Sequence, residues 1–102
     1  MIRIEILGFS DCPNLEPTVQ RVRDVLASMG VPADIGVRIL GETDDLASCR
    51  FLGSPTVQVN GLDIEPAARS RADFAFGCRM YGSTGIPSPS MIEAAVREAV
   101  AA

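Results

Sequence analysis

The spacing of the apolar side chains changes once near the start of the chain, and that change constrains the fold more than any other feature. Ile2, Ile4 and Ile6 alternate with Arg3 and Glu5, the period of two expected of a half-buried strand. From Leu15 the apolar positions become Leu15, Val19, Val22, Val25, Leu26 and Met29, the period of an amphipathic helix that Cys12-Pro13 would open. Gly30 stands where such a helix ends, and Pro32 prevents its continuation. Ile35, Val37 and Ile39 then alternate with Asp34, Gly36 and Arg38, which predicts a second strand over about 33–40. Strand, helix and strand in this order make a βαβ unit, with parallel strands and a right-handed crossover.

The second half reads differently. Thr43 can cap a short helix over about 43–50, with Asp44 and Asp45 at its positive end. Thr56-Val57-Gln58-Val59 and Leu62-Asp63-Ile64-Glu65 flank Asn60-Gly61, a dipeptide suited to the tight turn of a hairpin. The hairpin is expected to join the free side of the first strand. Residues 66–87 hold no sustained period and contain Gly77, Gly82, Gly85 and Pro87, which predicts a long loop with a helical turn around Ala72–Phe76. A last helix starts near Ser88-Pro89-Ser90, where Ser90 and Glu93 have capping-box spacing, and its apolar face is Ile92, Ala95, Val96 and Ala99. The expected fold is α/β, β-α-β-α-β-β-α around a four-stranded mixed sheet, in a single domain over residues 1–102.

Two absences narrow the chemistry. The chain has no histidine, and all nine of its cationic side chains are arginines. Ser-His and Cys-His nucleophile pairs, histidine metal ligands, lysine Schiff bases and the phosphate-loop lysine are therefore excluded. A net charge of -4 argues against nucleic acid as a partner, and one Tyr, four Phe and no Trp supply few stacking platforms. No apolar run approaches the roughly 18 residues of a membrane span, and residues 1–9 alternate where a signal peptide would carry an apolar block, so a cytoplasmic chain without a membrane partner is expected. Three cysteines are an odd number, which leaves at least one free thiol.

Cys12 is the leading candidate for chemistry, because a cysteine where a strand runs into a helix meets unpaired backbone N–H groups that favour a thiolate. Asp11 opposes this, since an adjacent carboxylate disfavours a second negative charge. The same position also suits a small buried apolar residue. Cys49 lies three residues after Leu46 and reads as a core cysteine. Arg50 and Arg79 each follow a cysteine, and either could bind a substrate carboxylate or stand at the surface. Phe74, Phe76, Met80 and Tyr81 read as the apolar packing that pins the long loop.

Cys12-Pro13 at the strand-to-helix junction, with Ser54-Pro55-Thr56 ahead of the hairpin, resembles the thioredoxin-like superfamily, and the element order extends the likeness over nearly the whole chain. The resemblance implies that Cys12 is the attacking cysteine and that Pro55 is a cis-proline packed beside it. It also implies that the Ser54 backbone pairs with a bound peptide or thiol substrate. More narrowly, Cys-Pro-Asn at 12–14, Phe-Leu-Gly-Ser-Pro-Thr-Val at 51–57, Val-Asn-Gly-Leu-Asp-Ile-Glu-Pro at 59–66 and Cys-Arg-Met-Tyr at 78–81 are similar to small bacterial thioredoxin-like proteins often labelled alkylmercury-lyase-like. Leu15 stands where a Cys-x-x-Cys motif would place its second cysteine, so a local disulfide is excluded.

The expected activity is thiol-disulfide exchange, with Cys12 as nucleophile and either Cys78 or an external thiol such as glutathione resolving the mixed disulfide. Pro13, Asp11, Ser54 and Arg79 are the candidate substrate-contacting residues. The partner is a protein or small-molecule thiol or disulfide, and the chemistry needs no cofactor. The alternative is a soft-metal or organomercurial protein using Cys12 and Cys78 as thiolates, a pair that suits mercury or copper better than zinc.

Overall fold

Ile2–Gly8 forms strand β1, and its even residues face a core shared with both helices. In the computed structural model, which describes residues 1–102, helix α1 follows at Leu15–Met29 and strand β2 at Ala33–Ile39. The hairpin strands are β3, Thr56–Val59, and β4, Leu62–Asp63, and helix α2 closes the chain at Pro89–Ala101. The sheet order is β2-β1-β3-β4: β1 pairs parallel with β2 and antiparallel with β3, so the hairpin joins the free side of β1 as expected. The fold is α/β, with a four-stranded mixed open sheet and two helices on one face.

The apolar periods translate directly into that face. Ile2, Ile4, Ile6, Val57 and Val59 of the sheet meet Leu15, Val19, Val22 and Leu26 of α1 and Ile92, Ala95 and Val96 of α2 in one cluster. Gly30 ends α1 at φ 67, a left-handed conformation that glycine adopts without steric penalty. Asn60 and Gly61 both take positive φ, as the tight hairpin turn requires. A smaller cluster of Leu7, Leu40 and Phe51, with Phe9, Leu46 and Cys49 against it, covers the opposite face.

Four local expectations are corrected. No helix forms over 43–50; the segment is a series of turns. Asp45 accepts from the Ala47 and Ser48 N–H groups, two donors that a helix over 43–50 would use, and Asp44 turns back to accept from the Gly41 N–H at 2.7 Å. Leu46 and Cys49 still reach the smaller cluster from these turns. Helix α1 begins at Leu15, with Asn14 at its N-cap, so Cys12 and Pro13 lie in the turns before it. Ser88, not Ser90, caps α2, accepting from the Met91 N–H at 3.1 Å, with Pro89 in the first turn. No helical turn forms at 72–76; the loop instead carries one 3-10 turn at Pro66–Ala68.

Candidate functional site

Cys12 sits between two tight turns. Its N–H donates to the Phe9 C=O at 3.2 Å, and its own C=O accepts from the Leu15 N–H at 3.3 Å. The second bond uses a donor of the first helical turn, and Pro17 in that turn has none. The helix therefore offers Cys12 fewer free N–H groups than its position in the sequence suggests. The side chain is half-buried against the main core and opens on a cleft of about 480 Å³ between α1 and the edge of β2. Leu15, Val19, Val37 and Ile39 supply the apolar walls, and Glu16 and Arg23 the charged rim. Asp11 and Pro13 are exposed on either side of Cys12.

The second half of the site is the corner before β3. Ser54–Pro55 is a cis peptide bond, and Ser54, Pro55 and Thr56 are all buried. Residues 77–81 lie along this corner as a strap. The Ser54 N–H donates to the Gly77 C=O at 2.8 Å, and the Arg79 N–H donates to the Ser54 C=O at 2.9 Å, which sets Cys78 opposite Ser54 as a parallel bridge. The Tyr81 hydroxyl donates to the Pro55 C=O at 2.8 Å. Phe76 packs on Phe9 and Phe51 with ring centroids 5.5 and 6.1 Å away, which joins the strap to the loop that carries Cys12.

Arg79 locks the strap in place. It is only 5% exposed, and its guanidinium pairs bidentately with Asp63 at 2.6 and 2.8 Å, reaches Glu65 at 2.9 Å, and stacks 4.7 Å over the Tyr81 ring. Burial disfavours the charged guanidinium, but the Asp63 hydrogen bonds and the surrounding charges outweigh it and hold the group above its ordinary value. Burial pushes the Tyr81 phenol up in the same enclosure.

These contacts correct two expectations. Both backbone groups of Ser54 are already paired within the chain, so they form no open edge for a substrate. Arg79 is neither a surface arginine nor free to take a substrate carboxylate, because Asp63 and Glu65 occupy it. Arg50 is committed as well, donating to the Arg69 and Arg71 carbonyls and lying 5.1 Å from the Phe74 ring. Cys49 is half-buried, with its thiol directed at the Asp45 and Leu46 carbonyls. Phe74, Phe76 and Tyr81 pin the loop, whereas Met80 is 60% exposed and does not.

Asp63, Glu65 and the Tyr81 hydroxyl, which no motif singles out, also hold the strap. Asp63 and Glu65 are two apart, so on a strand they share a face, and two carboxylates on one face next to a hairpin imply a cation. No set of three or more Cys, Asp or Glu side chains is placed to hold a metal ion, and no helix is long and apolar enough to cross a membrane. Comparison with protein-family models, curated proteins and solved structures finds no match to this chain.

Proposed function

We propose that this is a thioredoxin-like thiol-disulfide exchange protein in which Cys12 is the nucleophile and Cys78 or an external thiol such as glutathione resolves. The observation that carries the reading is the position of Ser54. Its Oγ accepts from the Phe9 N–H at 3.4 Å, three residues ahead of Cys12, while its backbone brackets Cys78. Both cysteine-bearing segments are thereby tied to one residue at the cis corner. All three cysteines are free, and Cys49 alone directs its thiol at neighbouring carbonyls.

The Cys12 thiolate attacks one sulfur of a substrate disulfide, forming a mixed disulfide and releasing the other sulfur as a thiolate that takes up a proton. The Cys78 thiolate then attacks the Cys12 sulfur, which releases the second substrate thiol and leaves a Cys12–Cys78 disulfide. The substrate gains two electrons and the chain loses two. Two glutathione molecules, or one dithiol, return the chain to its starting state. The apolar walls beside Cys12 favour a disulfide flanked by apolar groups.

A glutathione-coupled disulfide reduction assay tests this reading. Cys12→Ser should abolish turnover, Cys49→Ser should leave it unchanged, and Cys78→Ser should stop at the Cys12 mixed disulfide, which only direct attack by glutathione then resolves. Full turnover in Cys12→Ser would overturn the reading.

A further inference from the structure

β2 is the end strand of the sheet, and its outer edge is open along its length. The Leu40 N–H donates to the Gly8 C=O at 2.8 Å, and backbone groups alternate sides along a strand. Asp34, Gly36 and Arg38 therefore direct their N–H and C=O groups at β1, while those of Ala33, Ile35, Val37 and Ile39 point outward. These outward positions are symmetric about Gly36, and so is the side-chain pattern. Ile35 and Val37 flank Gly36, Asp34 and Arg38 come next with opposite charges, and Ala33 and Ile39 close the strand. Val37 and Ile39 are 46% and 51% exposed.

We propose that the β2 edge is an interface for a second copy of this chain, pairing antiparallel about a two-fold axis at Gly36. In that register Ile35 and the partner's Val37 exchange backbone hydrogen bonds, Ala33 lies opposite the partner's Ile39, and Asp34 lies opposite the partner's Arg38. The charged residues fall in the non-hydrogen-bonded pairs, where opposite side chains are closest, with Cα atoms about 4.5 Å apart. Asp34 already holds Arg3 at 2.6 Å and Arg38 holds Asp44 at 3.1 Å. Pairing extends these into an alternating row of Arg3, Asp34, the partner's Arg38 and the partner's Asp44.

The pattern selects this register alone. A slip by one residue sets outward backbone groups against inward ones, and moving the axis to Ile35 or Val37 leaves Asp34 and Arg38 without each other. Gly36 at the axis leaves room for the Arg3–Glu5 pair, which a Cβ there would strike. A foreign strand would have to bring this charge pattern with it, whereas a second copy carries it already. A single edge pair buries little surface, so the dimer is weak and concentration-dependent.

Sedimentation of the native chain up to roughly 1 mM, a range suited to a small interface, should show a monomer–dimer equilibrium. Asp34→Arg and Arg38→Asp each set like charges opposite twice in one interface, and each should weaken association at least about tenfold. An equimolar mixture of the two variants should associate again, because each introduced charge then faces its opposite, and the exchange Asp34→Arg/Arg38→Asp should dimerise by itself. Independently of any variant, the amides of Ile35 and Val37 should be protected from hydrogen exchange in concentrated but not in dilute native chain. A native monomer throughout the range, single variants that associate like the native chain, or a mixture that stays monomeric would each overturn the proposal. The first of these would leave the edge to an extended segment of a different protein.

Discussion

Ser54 and Cys78 are held opposite one another by two backbone hydrogen bonds, of 2.8 and 2.9 Å, made by the neighbours of Cys78 to the N–H and C=O of Ser54. The cysteine is exposed, but its backbone is fixed by groups that are not. The placement of Cys78 therefore depends on buried polar contacts that touch neither the Cys12 nor the Cys78 sulfur.

Asp63 is the first of these. Its removal leaves a 95%-buried arginine, 5% exposed, with only the half-exposed Glu65 as a carboxylate partner. Breaking a buried pair from one side costs about 3–5 kcal/mol. Asp63→Ala should lower stability by that amount in urea unfolding and speed alkylation of Cys78, while Glu65→Ala should cost less than about 1 kcal/mol. Equal effects of the two would show that Asp63 is not the anchor.

The single tyrosine gives an optical reading of the same enclosure. Burial raises the Tyr81 phenol above its ordinary value, so the folded chain keeps the proton at a pH where the unfolded chain has lost it. The unfolded chain then binds fewer protons, and stability falls with rising pH. This contribution is intact below about pH 10 and is lost as the pH rises toward the folded value. Phenolate absorbance should thus rise together with alkaline unfolding measured by circular dichroism. Phenolate formation near pH 10 in a chain that stays folded would contradict the burial, since about 10 is the free phenol's value.

Gly8 tests how closely the Cys12 loop approaches the cis corner. A Cβ at this position would stand 2.6 Å from the Ser54 Oγ and 2.8 Å from Leu15 Cδ1. Gly8→Ala should destabilise the chain by about 1–3 kcal/mol through overpacking, and should change Cys12 reactivity more than Cys49 reactivity. An unchanged unfolding midpoint would show that the contact is loose.

The sheet was legible because its signals are periodic or strictly local: Ile2, Ile4 and Ile6 alternate, and Asn60-Gly61 admits one kind of turn. The segment over 43–50 departs from the expected helix because Asp44 and Asp45 suit a helix start and also satisfy backbone donors without a helix. Arg79 departs from expectation for a different reason. A buried ion pair between Asp63 in the hairpin and Arg79 in the long loop leaves no local period, and only the tertiary fold brings the two together. Cys12 and the Ser54–Pro55 corner could be picked out as residues, but the strap that occupies the Ser54 backbone could not.

Treatment of the native chain with glutathione disulfide, followed by peptide mapping, distinguishes chemistry at Cys12 from simple exposure. Cys78 is the exposed thiol and Cys12 the half-buried one, so accessibility alone would place the first adduct on Cys78. With Cys12 as the nucleophile, the first products are a glutathione adduct at Cys12 and a disulfide between Cys12 and Cys78, with Cys49 still a free thiol. A Cys12 thiol left unmodified after Cys78 and Cys49 have reacted would contradict the proposed function.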